Sequence, residues 1–304
     1  MRIIASANQK GGCGKTTTAI NLSFALASKG QSVLLIDCDP QAHATMGLNV
    51  MPSDLGRTIY EVMRPNGYPP TELEDILLTI GENFDLAPSS GKLSAIEQEL
   101  SGVEGRESRL HNAIQSLGEY YDFIIIDSPP SIGHLCFNAL RASDEVIIPI
   151  DLSLFSLRGV SKLIEIAQML KENLDHDIKS RALITMYDQR TRYAKHVLEK
   201  VKEEFGDDVF ETVIRYNIRL REAVDYGSPI GEYDKHSIGH KDYEDLADEV
   251  MRSGKADDAS TTFTALAGAE GLLDRTESYQ DTTESEPEDD IPVVDTKSIF
   301  RSYS

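Results

Sequence analysis

Short apolar runs alternate with helix-periodic stretches along most of the chain. The runs are rich in β-branched residues and contain few polar positions, which is typical of strands buried on both faces of a parallel sheet. Five segments carry this pattern: RIIASA (2–7), SVLLID (32–37), FIIIDS (123–128), EVIIPI (145–150) and ALITMY (182–187). The sequence predicts that these segments are strands of one sheet.

Helical periodicity fills intervals between the predicted strands. TTTAINLSFALASKG (16–30) follows the first strand, and Gly30 is placed to close that helix in a left-handed C-terminal turn. Two further stretches have the same spacing, at 163–174 and 194–206. The alternation predicts a doubly wound α/β fold, with a mostly parallel sheet flanked by helices. Residues 51–118 have the weakest pattern, with Pro and Gly punctuation before helical spacing at 92–118.

The composition changes near residue 252, and the chain divides there. Residues 1–251 carry the α/β pattern and are predicted to form one domain. Residues 252–304 contain 12 acidic and 5 basic residues, with many Ser and Thr and the run TESEPEDD at 283–290. Such a segment cannot bury enough apolar surface to offset the entropy lost on ordering it. We therefore predict an acidic, disordered C-terminal tail.

Bulk composition narrows the class of protein. The 304 residues are 40% hydrophobic, enough to bury a sizeable core. Cys13, Cys38 and Cys136 lack metal-ligand spacing, which indicates a reducing, cytoplasmic setting without a disulfide framework or a structural zinc site. No run approaches the roughly 18 apolar residues of a membrane span. The net charge of -21 disfavours nucleic acid and anionic lipid as partners unless basic residues cluster locally.

A glycine-rich segment, NQKGGCGKTTT, joins the first predicted strand to the first helix. Glycines let the backbone turn tightly and direct N–H groups at a phosphate, and the positive end of the helix adds to the attraction. Lys15 is placed to reach the β- and γ-phosphates, and the Thr16 hydroxyl to bind Mg2+. The predicted nucleotide-binding residues of this loop are Lys10, Gly11, Gly12, Cys13, Gly14, Lys15, Thr16 and Thr17.

Acidic residues follow two of the predicted strands. FIIIDSPP places Asp127 at the end of an apolar strand, a Walker B position whose carboxylate holds Mg2+ through a coordinated water. LLIDCDPQ places Asp37 and Asp39 at the end of the second strand. A carboxylate just beyond a strand tip suits the positioning that phosphoryl transfer requires. The alternative for Asp37 is that it only caps the following turn.

The loop departs from the common P-loop pattern, G-x-x-x-x-G-K-[ST], at its start. Gln9 takes the place of the first glycine, and a second lysine, Lys10, precedes the glycine pair. This arrangement resembles the deviant Walker A motif of the ParA/MinD family of ATPases. The resemblance to ParA/Soj proteins covers most of residues 1–251 and runs, in the family's order, through VLLIDCDPQAHATMGL, YDFIIIDSPPSIGHLCFNAL, SDEVIIPIDLSLFSLRGVSKL and TVIRYNIRLREAVDYGSPIGEYD.

The resemblance implies an ATPase that uses ATP and Mg2+ and forms a homodimer around ATP. In that family the extra lysine reaches the partner's nucleotide, which implies catalytic roles for Lys10 as well as Lys15. It also implies that Asp39 orients the attacking water and that Asp37 supports the Mg2+ shell held by Thr16 and Asp127. We expect slow intrinsic turnover, because the loop segments contain no evident arginine finger in cis.

The resemblance adds two residues on the base side of the nucleotide. Met186 lies in ITMYDQRT, and Asn217 ends the segment IRYN, where the family commonly reads IPRN. Asn217 is therefore kept while the proline is lost. Both residues are predicted to bind the nucleotide.

The resemblance also implies nonspecific binding to double-stranded DNA and activation by a ParB-like partner. From Ser180 to Arg221 there are nine basic and seven acidic residues, a local reversal in an acidic chain. Arg190 and Arg219 match the family's DNA-contacting arginines, and Arg221 is a candidate by position. Phosphate contacts by such residues would place the protein in the cytoplasm, associated with the nucleoid.

Two alternatives belong to other functional classes. A MinD-like ATPase acting at a membrane surface needs a basic amphipathic helix near its C-terminus, and the acidic tail does not provide one. An iron–sulfur reductase related to the nitrogenase iron protein needs paired cluster cysteines, which are not evident at matching positions. A partitioning or positioning ATPase is therefore the favoured function.

Overall fold

A computed structural model describes residues 1–65, 70–151 and 154–253. Seven strands in these ranges form one sheet. The strands are β1 Arg2–Ser6, β2 Val33–Asp37, β3 Leu78–Gly81, β4 Phe84–Ala87, β5 Phe123–Asp127, β6 Glu145–Asp151 and β7 Lys179–Thr185. Each of the five segments predicted as strands from its apolar run thus overlaps one strand of the sheet.

Eleven α-helices accompany the sheet in the described ranges. They are α1 Lys15–Ser28, α2 His43–Met46, α3 Ile59–Met63, α4 Ile96–Glu99, α5 Arg109–Ser116, α6 His134–Ala142, α7 Leu154–Leu174, α8 Arg192–Phe205, α9 Ile218–Asp225, α10 Ile230–Tyr233 and α11 Ile238–Ser253. Gly30 closes α1 as expected, with a φ of 81° and its N–H bonded to the carbonyl of Ala27.

The sheet is doubly wound, as predicted, with the order β3-β4-β2-β5-β1-β6-β7. Neighbouring strands from β4 to β7 are parallel, and β3 alone pairs antiparallel with β4. This hairpin lies in the region where no strand was predicted. β3 is at the edge of the sheet and only partly buried, so it lacks the continuous apolar run of the interior strands.

Side chains at alternate positions along each strand pack into two hydrophobic cores, one on each face of the sheet. Ile3 and Ile124 pack on the face covered by α5, α6 and α7, whereas Ile4 and Ile125 pack on the face covered by α1 and α11. All four are at most 4% exposed. Full burial of one such side chain contributes about 1.5–3 kcal/mol, so the paired cores fix both the sheet and its register.

The strand register brings three polar residues to one level at the carboxyl edge of the sheet. Ser6 of β1 and Asp37 of β2 are both register partners of Asp127 in β5. Because β1 continues directly into the glycine-rich loop, that loop starts at the same level. The sheet therefore places the predicted phosphate loop beside the predicted acidic residues.

Helix α11 runs from this edge towards the opposite end of the sheet. Its Tyr243 hydroxyl lies 3.2 Å from the Thr18 hydroxyl of α1, while Arg2 at the start of β1 donates to the carbonyl of Val250. Arg252 and Ser253 belong to α11, so the predicted tail begins inside a helix; its remainder, 254–304, lies outside the described residues. None of the described helices is long and apolar enough to cross a membrane.

Ala42 adopts a left-handed conformation before α2, with φ 53° and ψ 35°. An L-residue there costs roughly 1–2 kcal/mol that glycine does not incur. We expect Ala42→Gly to raise the free energy of unfolding by about 0.5–1 kcal/mol in urea denaturation. Ala44→Gly is the matched control, because it removes a helical methyl and should lower stability by about 1 kcal/mol. Equal losses in both variants would contradict the expectation.

His176 is held in its neutral form by its neighbours. Its Nε2 lies 3.0 Å from the carbonyl of Ser143, and its Nδ1 lies 3.2 Å from the Arg141 guanidinium, which can only donate. Burial, and then the Arg141 charge, lower the pKa of His176 below its ordinary value. The same causes lower the pKa of His111, which faces Arg141 and Asp144.

A lowered histidine pKa makes folding stability depend on pH. The unfolded chain binds a proton near pH 6.5 and the folded chain resists it, so this stability is present above pH 6.5 and is lost as pH falls. His176 should therefore lower the free energy of unfolding as the pH falls from 7.5 to 5.5, so His176→Gln should gain stability relative to the wild type over that range in urea denaturation. The exposed His236→Gln should follow the wild type, and a His176→Gln protein with the same pH dependence as the wild type would refute the assignment.

Candidate nucleotide site

The loop from Asn8 to Gly14 connects β1 to α1 and is built for a left-handed turn. Gly12 and Gly14 have φ values of 74° and 94°, which L side chains rarely adopt. Gly14 is the N-cap of α1, and no side chain caps the amides of the first helical turn. Free N–H groups and the positive end of a 14-residue helix therefore point out of the loop, which is the condition for binding a phosphate.

Internal hydrogen bonds hold the loop closed. The Lys15 ammonium donates to the carbonyl of Lys10 at 3.0 Å, and the Cys13 thiol approaches the same carbonyl at 3.2 Å. Thr185, at the end of β7, donates its hydroxyl to the Cys13 carbonyl at 2.8 Å. Burial raises the pKa of the Cys13 thiol, against the effect of Lys15, so the sulfur stays protonated and packs as a small apolar group.

Lys15 is 7% exposed, whereas Lys10 is only half-buried at the mouth of the loop. The Lys10 ammonium forms an ion pair with Asp151, the last residue of β6. Asn8 supports this contact, because its Nδ2 donates to the carbonyl of Pro149 and its Oδ1 accepts from the Lys10 amide. Within one chain, the two lysines of the loop are therefore directed to different partners.

Asp127 has the most unusual environment at the sheet edge. It is fully buried, and neither carboxylate oxygen has a hydrogen-bond partner in the described chain. Burial, and then the charge of Asp37, raise its pKa well above the ordinary value, while the Thr16 hydroxyl and Lys15 lower it. A buried carboxylate without donors costs free energy unless a ligand satisfies it. Both oxygens thus fit a hydrated Mg2+ beside Thr16.

Asp37 differs from Asp127 because protein donors occupy both of its oxygens. One accepts from the Thr45 amide at 2.8 Å and the Thr45 hydroxyl at 2.7 Å, and the other accepts from the Asp39 amide at 3.1 Å. Burial raises the pKa of Asp37 to about 6 despite these bonds. The geometry favours the turn-capping alternative for Asp37, and its place in a Mg2+ shell stays a prediction.

Asp39 keeps part of its carboxylate available. One oxygen accepts from the Gln41 amide at 2.8 Å, while its backbone carbonyl accepts from the Ser89 hydroxyl at 2.7 Å. The side chain is 6% exposed at the same edge as Asp127. Fixed backbone and an open carboxylate oxygen suit a group that orients a water, the role that the resemblance implies.

Glu97 anchors the segment that follows Asp127. Its carboxylate accepts from the amides of His134 and Leu135 at 2.7 and 3.0 Å, which caps α6. The same carboxylate occupies the space that a Cβ on residue 133 would need, so a larger residue there would displace Glu97 from these amides. The connection from Asp127 to α6 is therefore fixed at its far end by a helix from the segment with the weakest sequence pattern.

A cavity of about 280 Å3 opens beside the loop. Gly14 and Thr17 line it on one side, and Met186 and Asn217 on another. Its remaining wall is Thr185, Ile214, Arg215, Tyr216, Leu220, Arg221, Val224, Asp225 and Tyr243. The structure thus brings Met186 and Asn217 to the loop, where a base would extend from bound phosphates. Met186 is in a left-handed conformation at φ 53°, and Asn217 caps α9 by accepting from the Arg219 amide at 2.9 Å.

The three arginines predicted to bind DNA occupy different settings. Arg190 is exposed and forms a two-pronged pair with Asp188, at 2.7 and 2.8 Å. Arg219 is exposed and pairs with Glu222 at 2.7 Å. Their segments are neighbours, because the Tyr216 amide donates to the carbonyl of Tyr187. Arg221 instead lines the cavity beside the loop, on the other side of α9 from the pair made by Arg219.

Sequence reasoning did not identify Asp151, Thr45 or Glu97 as parts of this site. Asp151 and Glu97 lie far along the chain from the residues they contact, and Thr45 lies eight residues after Asp37. None of the three is part of a phosphate-binding motif. Asp151 had the one usable signal, an acidic residue ending a buried strand as Asp37 and Asp127 do. No described group of three or more His, Cys, Asp or Glu side chains could hold a metal alone, and Mg2+ usually takes one or two carboxylates together with substrate phosphates.

This arrangement defines a P-loop nucleotide-binding protein, in which the loop joins a buried strand to a helix beside a Walker B aspartate. The family model described as AAA domain matches residues 1–180. The chain is 42% identical over 254 residues to the sporulation initiation inhibitor protein Soj of Bacillus subtilis. The aligned region covers 83% of this chain and 99% of Soj. The chain is 41% identical over 252 residues to the chromosome partitioning protein ParA of Myxococcus xanthus, covering 83% and 88% of the two chains. The chain belongs to the Soj/ParA family of partitioning ATPases.

Solved structures share the fold over most of the chain. Cobyrinic acid a,c-diamide synthase of Mycobacterium smegmatis, with bound ADP and magnesium, has a TM-score of 0.74 at 32% identity, covering 86% of this chain and 99% of that one. A putative plasmid partition protein of Borrelia burgdorferi bound to AMPPNP has a TM-score of 0.70 at 27% identity, with coverages of 83% and 99%. The cell division ATPase MinD of Pyrococcus furiosus reaches 0.66 at 26% identity, with coverages of 83% and 99%. Proteins of different activity therefore share this fold.

Proposed function

We propose that this chain is an ATP-switched partitioning ATPase. It dimerises around ATP, binds double-stranded DNA nonspecifically in that state, and hydrolyses ATP slowly until a ParB-like partner stimulates it. The cargo is DNA or another assembly that the cell must segregate or position. The observation that carries this proposal is the identity of 42% with Soj along 99% of that protein, together with a loop that presents Lys10 outside the buried phosphate site.

The described residues divide the work of ATP hydrolysis. The amides of the loop and Lys15 bind the phosphates, and Thr16 and Asp127 hold Mg2+. When bound, Mg2+ neutralises charge on the phosphate oxygens. Asp39 orients the attacking water, with its backbone fixed by Ser89. The cavity beside Gly14 receives the base, where Met186 and Asn217 contact it.

Lys10 provides the link between ATP and dimerisation. Within one chain its ammonium is paired with Asp151. To reach a partner's nucleotide it exchanges this carboxylate for phosphate oxygens, which carry more negative charge. ATP, with its γ-phosphate, offers a stronger replacement than ADP does. Dimerisation therefore depends on the bound nucleotide.

DNA binding is assigned to Arg190 and Arg219. Both are exposed, at 82% and 51% of their side chains, and both are paired with a carboxylate two or three residues away. Such surface pairs contribute little stability and are readily exchanged for phosphate contacts. Two copies of this surface in a dimer would bind DNA more tightly than one, which couples DNA affinity to ATP.

The test is retention of the full-length protein on nonspecific DNA, measured against salt concentration with ATP, ADP or no nucleotide. We expect retention with ATP only, decreasing steeply with salt, and lost in Arg219→Glu. Lys241→Glu is the matched control, because Lys241 is an exposed lysine paired with an aspartate on α11. Retention that is absent under every condition would refute the DNA assignment.

The remaining outcome concerns a membrane surface. The structural similarity to MinD is compatible with a MinD-like ATPase, which would dimerise with ATP without binding DNA. Cosedimentation with anionic lipid vesicles, run with the same nucleotides, separates the two functions. ATP-dependent cosedimentation together with no DNA retention would replace the proposed partitioning function with the membrane one.

A further inference from the structure

Three charged residues line the cavity beside the loop, and they differ in whether they are available to a ligand. Arg215 is fixed, because its guanidinium pairs with Asp242, whose carboxylate is 4% exposed and also accepts from the Arg215 amide at 2.9 Å. The side chains of Arg221 and Asp225 make no hydrogen bond or ion pair with any residue in the described part of the chain. Two charged side chains that line the cavity are therefore available to bind a ligand.

Arg221 and Asp225 are four residues apart on α9, so they lie one above the other on the same face of that helix. The two charged side chains on the other face of this helix are already paired with each other, because Arg219 forms an ion pair with Glu222 at 2.7 Å. The face with Arg221 and Asp225 is the one that lines the cavity, together with Leu220 and Val224. A cation, a carboxylate and apolar side chains thus converge on one space.

The chemistry of this wall suits a flat heteroaromatic ring that carries an amino group. A guanidinium stacks on the face of such a ring, and the aliphatic residues exclude water from its edge. A carboxylate accepts hydrogen bonds from an exocyclic amine and repels a carbonyl oxygen at the same position. Adenine presents an amine at its 6-position, whereas hypoxanthine presents a carbonyl.

We propose that Arg221 and Asp225 recognise the base of the bound nucleotide, Arg221 by stacking on it and Asp225 by accepting from its exocyclic amine. This inference rests on the proposed ATP-binding function and makes the two residues determinants of base specificity. It also removes Arg221 from the DNA-binding surface, where its position in the sequence had placed it. The remaining DNA contacts are then Arg190 and Arg219.

The test is calorimetric titration of the full-length protein with ATP and with inosine triphosphate, each at saturating Mg2+. We expect the wild type to bind ATP at least about 10-fold more tightly than inosine triphosphate. The Asp225 carboxylate accepts from the amine of adenine, and it repels the carbonyl oxygen that replaces this amine in hypoxanthine. In Asp225→Ala the ratio falls close to one. Asp225→Asn, which keeps an acceptor oxygen, retains part of the preference.

Arg221→Ala should weaken both nucleotides by about 5- to 10-fold and leave their ratio intact, since stacking does not depend on the amine. Arg221→Lys should not restore affinity, because an ammonium lacks the planar face of a guanidinium. Glu222→Ala is the matched control on the same helix but outside the cavity, and both dissociation constants should stay unchanged. Thermal melting of each variant confirms that it is folded.

The outcomes distinguish a failure of the proposed function from a failure of the base-recognition inference. A wild type that binds neither nucleotide refutes the proposed function and this inference with it. A wild type that binds ATP while the Asp225 variants keep its ATP preference refutes the inference alone. An Arg221→Ala protein that keeps its ATP affinity but loses retention on DNA also overturns it, and returns Arg221 to the DNA surface.

Discussion

Replacing Asp127 with Asn is expected to stabilise the nucleotide-free chain while abolishing Mg2+-dependent ATP hydrolysis. The carboxylate is fully buried, neither oxygen has a hydrogen-bond partner at normal distance among the described residues, and burial raises its pKa. An amide of the same shape removes the cost of burying a charge and can donate a hydrogen bond itself. We expect a gain of about 1–3 kcal/mol in the free energy of unfolding, measured in urea with EDTA present.

The same substitution removes the proposed ligand for Mg2+. Charge stabilisation and positioning supply most of the rate in phosphoryl transfer, so we expect hydrolysis to fall by at least about 100-fold. Asp207→Asn is the control, because Asp207 is exposed and should change stability by less than about 0.5 kcal/mol. An Asp127→Asn protein that is less stable than the wild type, or that hydrolyses ATP normally, would show that the buried carboxylate is not a metal site.

The second large effect is expected at the two lysines of the loop, which should fail in different ways. Lys15 is buried at the start of α1, so Lys15→Ala removes a charge-assisted bond to phosphate from a partly desolvated site. A loss of about 3 kcal/mol corresponds to more than 100-fold in the dissociation constant for ATP. Equilibrium titration with a fluorescent ATP analogue measures this loss directly.

Lys10→Ala should leave binding of ATP to one chain within a few-fold of wild type, because its ammonium is directed to Asp151 rather than into the loop. Its hydrolysis should nevertheless fall by about 100-fold, since the proposed dimer loses the contact with the partner's nucleotide. Size-exclusion chromatography with ATP would show a monomer. Two lysine variants with the same loss of ATP binding would contradict separate roles for Lys10 and Lys15.

The fold could be predicted where burial makes the sequence unambiguous. β1, β2, β5 and β6 are covered on both faces, so each is a nearly unbroken apolar run, and β7 contains such a run in its second half. The β3–β4 hairpin was missed because β3 is a four-residue edge strand that is only half covered. Its antiparallel direction depends on a tight connection at Glu82 and Asn83, and Asn83 has a φ of 59°. Periodicity does not detect a feature of this kind.

The site could be predicted as far as its residues are neighbours along the chain or end apolar strands. The loop meets the first condition and Asp127 meets the second. The contact between Lys10 and Asp151 joins residues 141 positions apart and depends on β1 and β6 being adjacent in the sheet. The placement of Arg221 in the cavity depends on the rotation of α9 about its axis. A count of basic residues from 180 to 221 does not contain that information.

The hydrogen bond from Arg2 to the carbonyl of Val250 brings the two ends of the described fold together. Arg2 begins β1 and the glycine-rich loop follows the other end of that strand, so Ser253 lies near the end of the sheet opposite that loop. A fluorescent protein attached after Ser253 would therefore not obstruct nucleotide entry. The proximity of residues 2 and 250 also makes a circular permutant feasible, with a short linker joining them and new ends opened in an exposed turn.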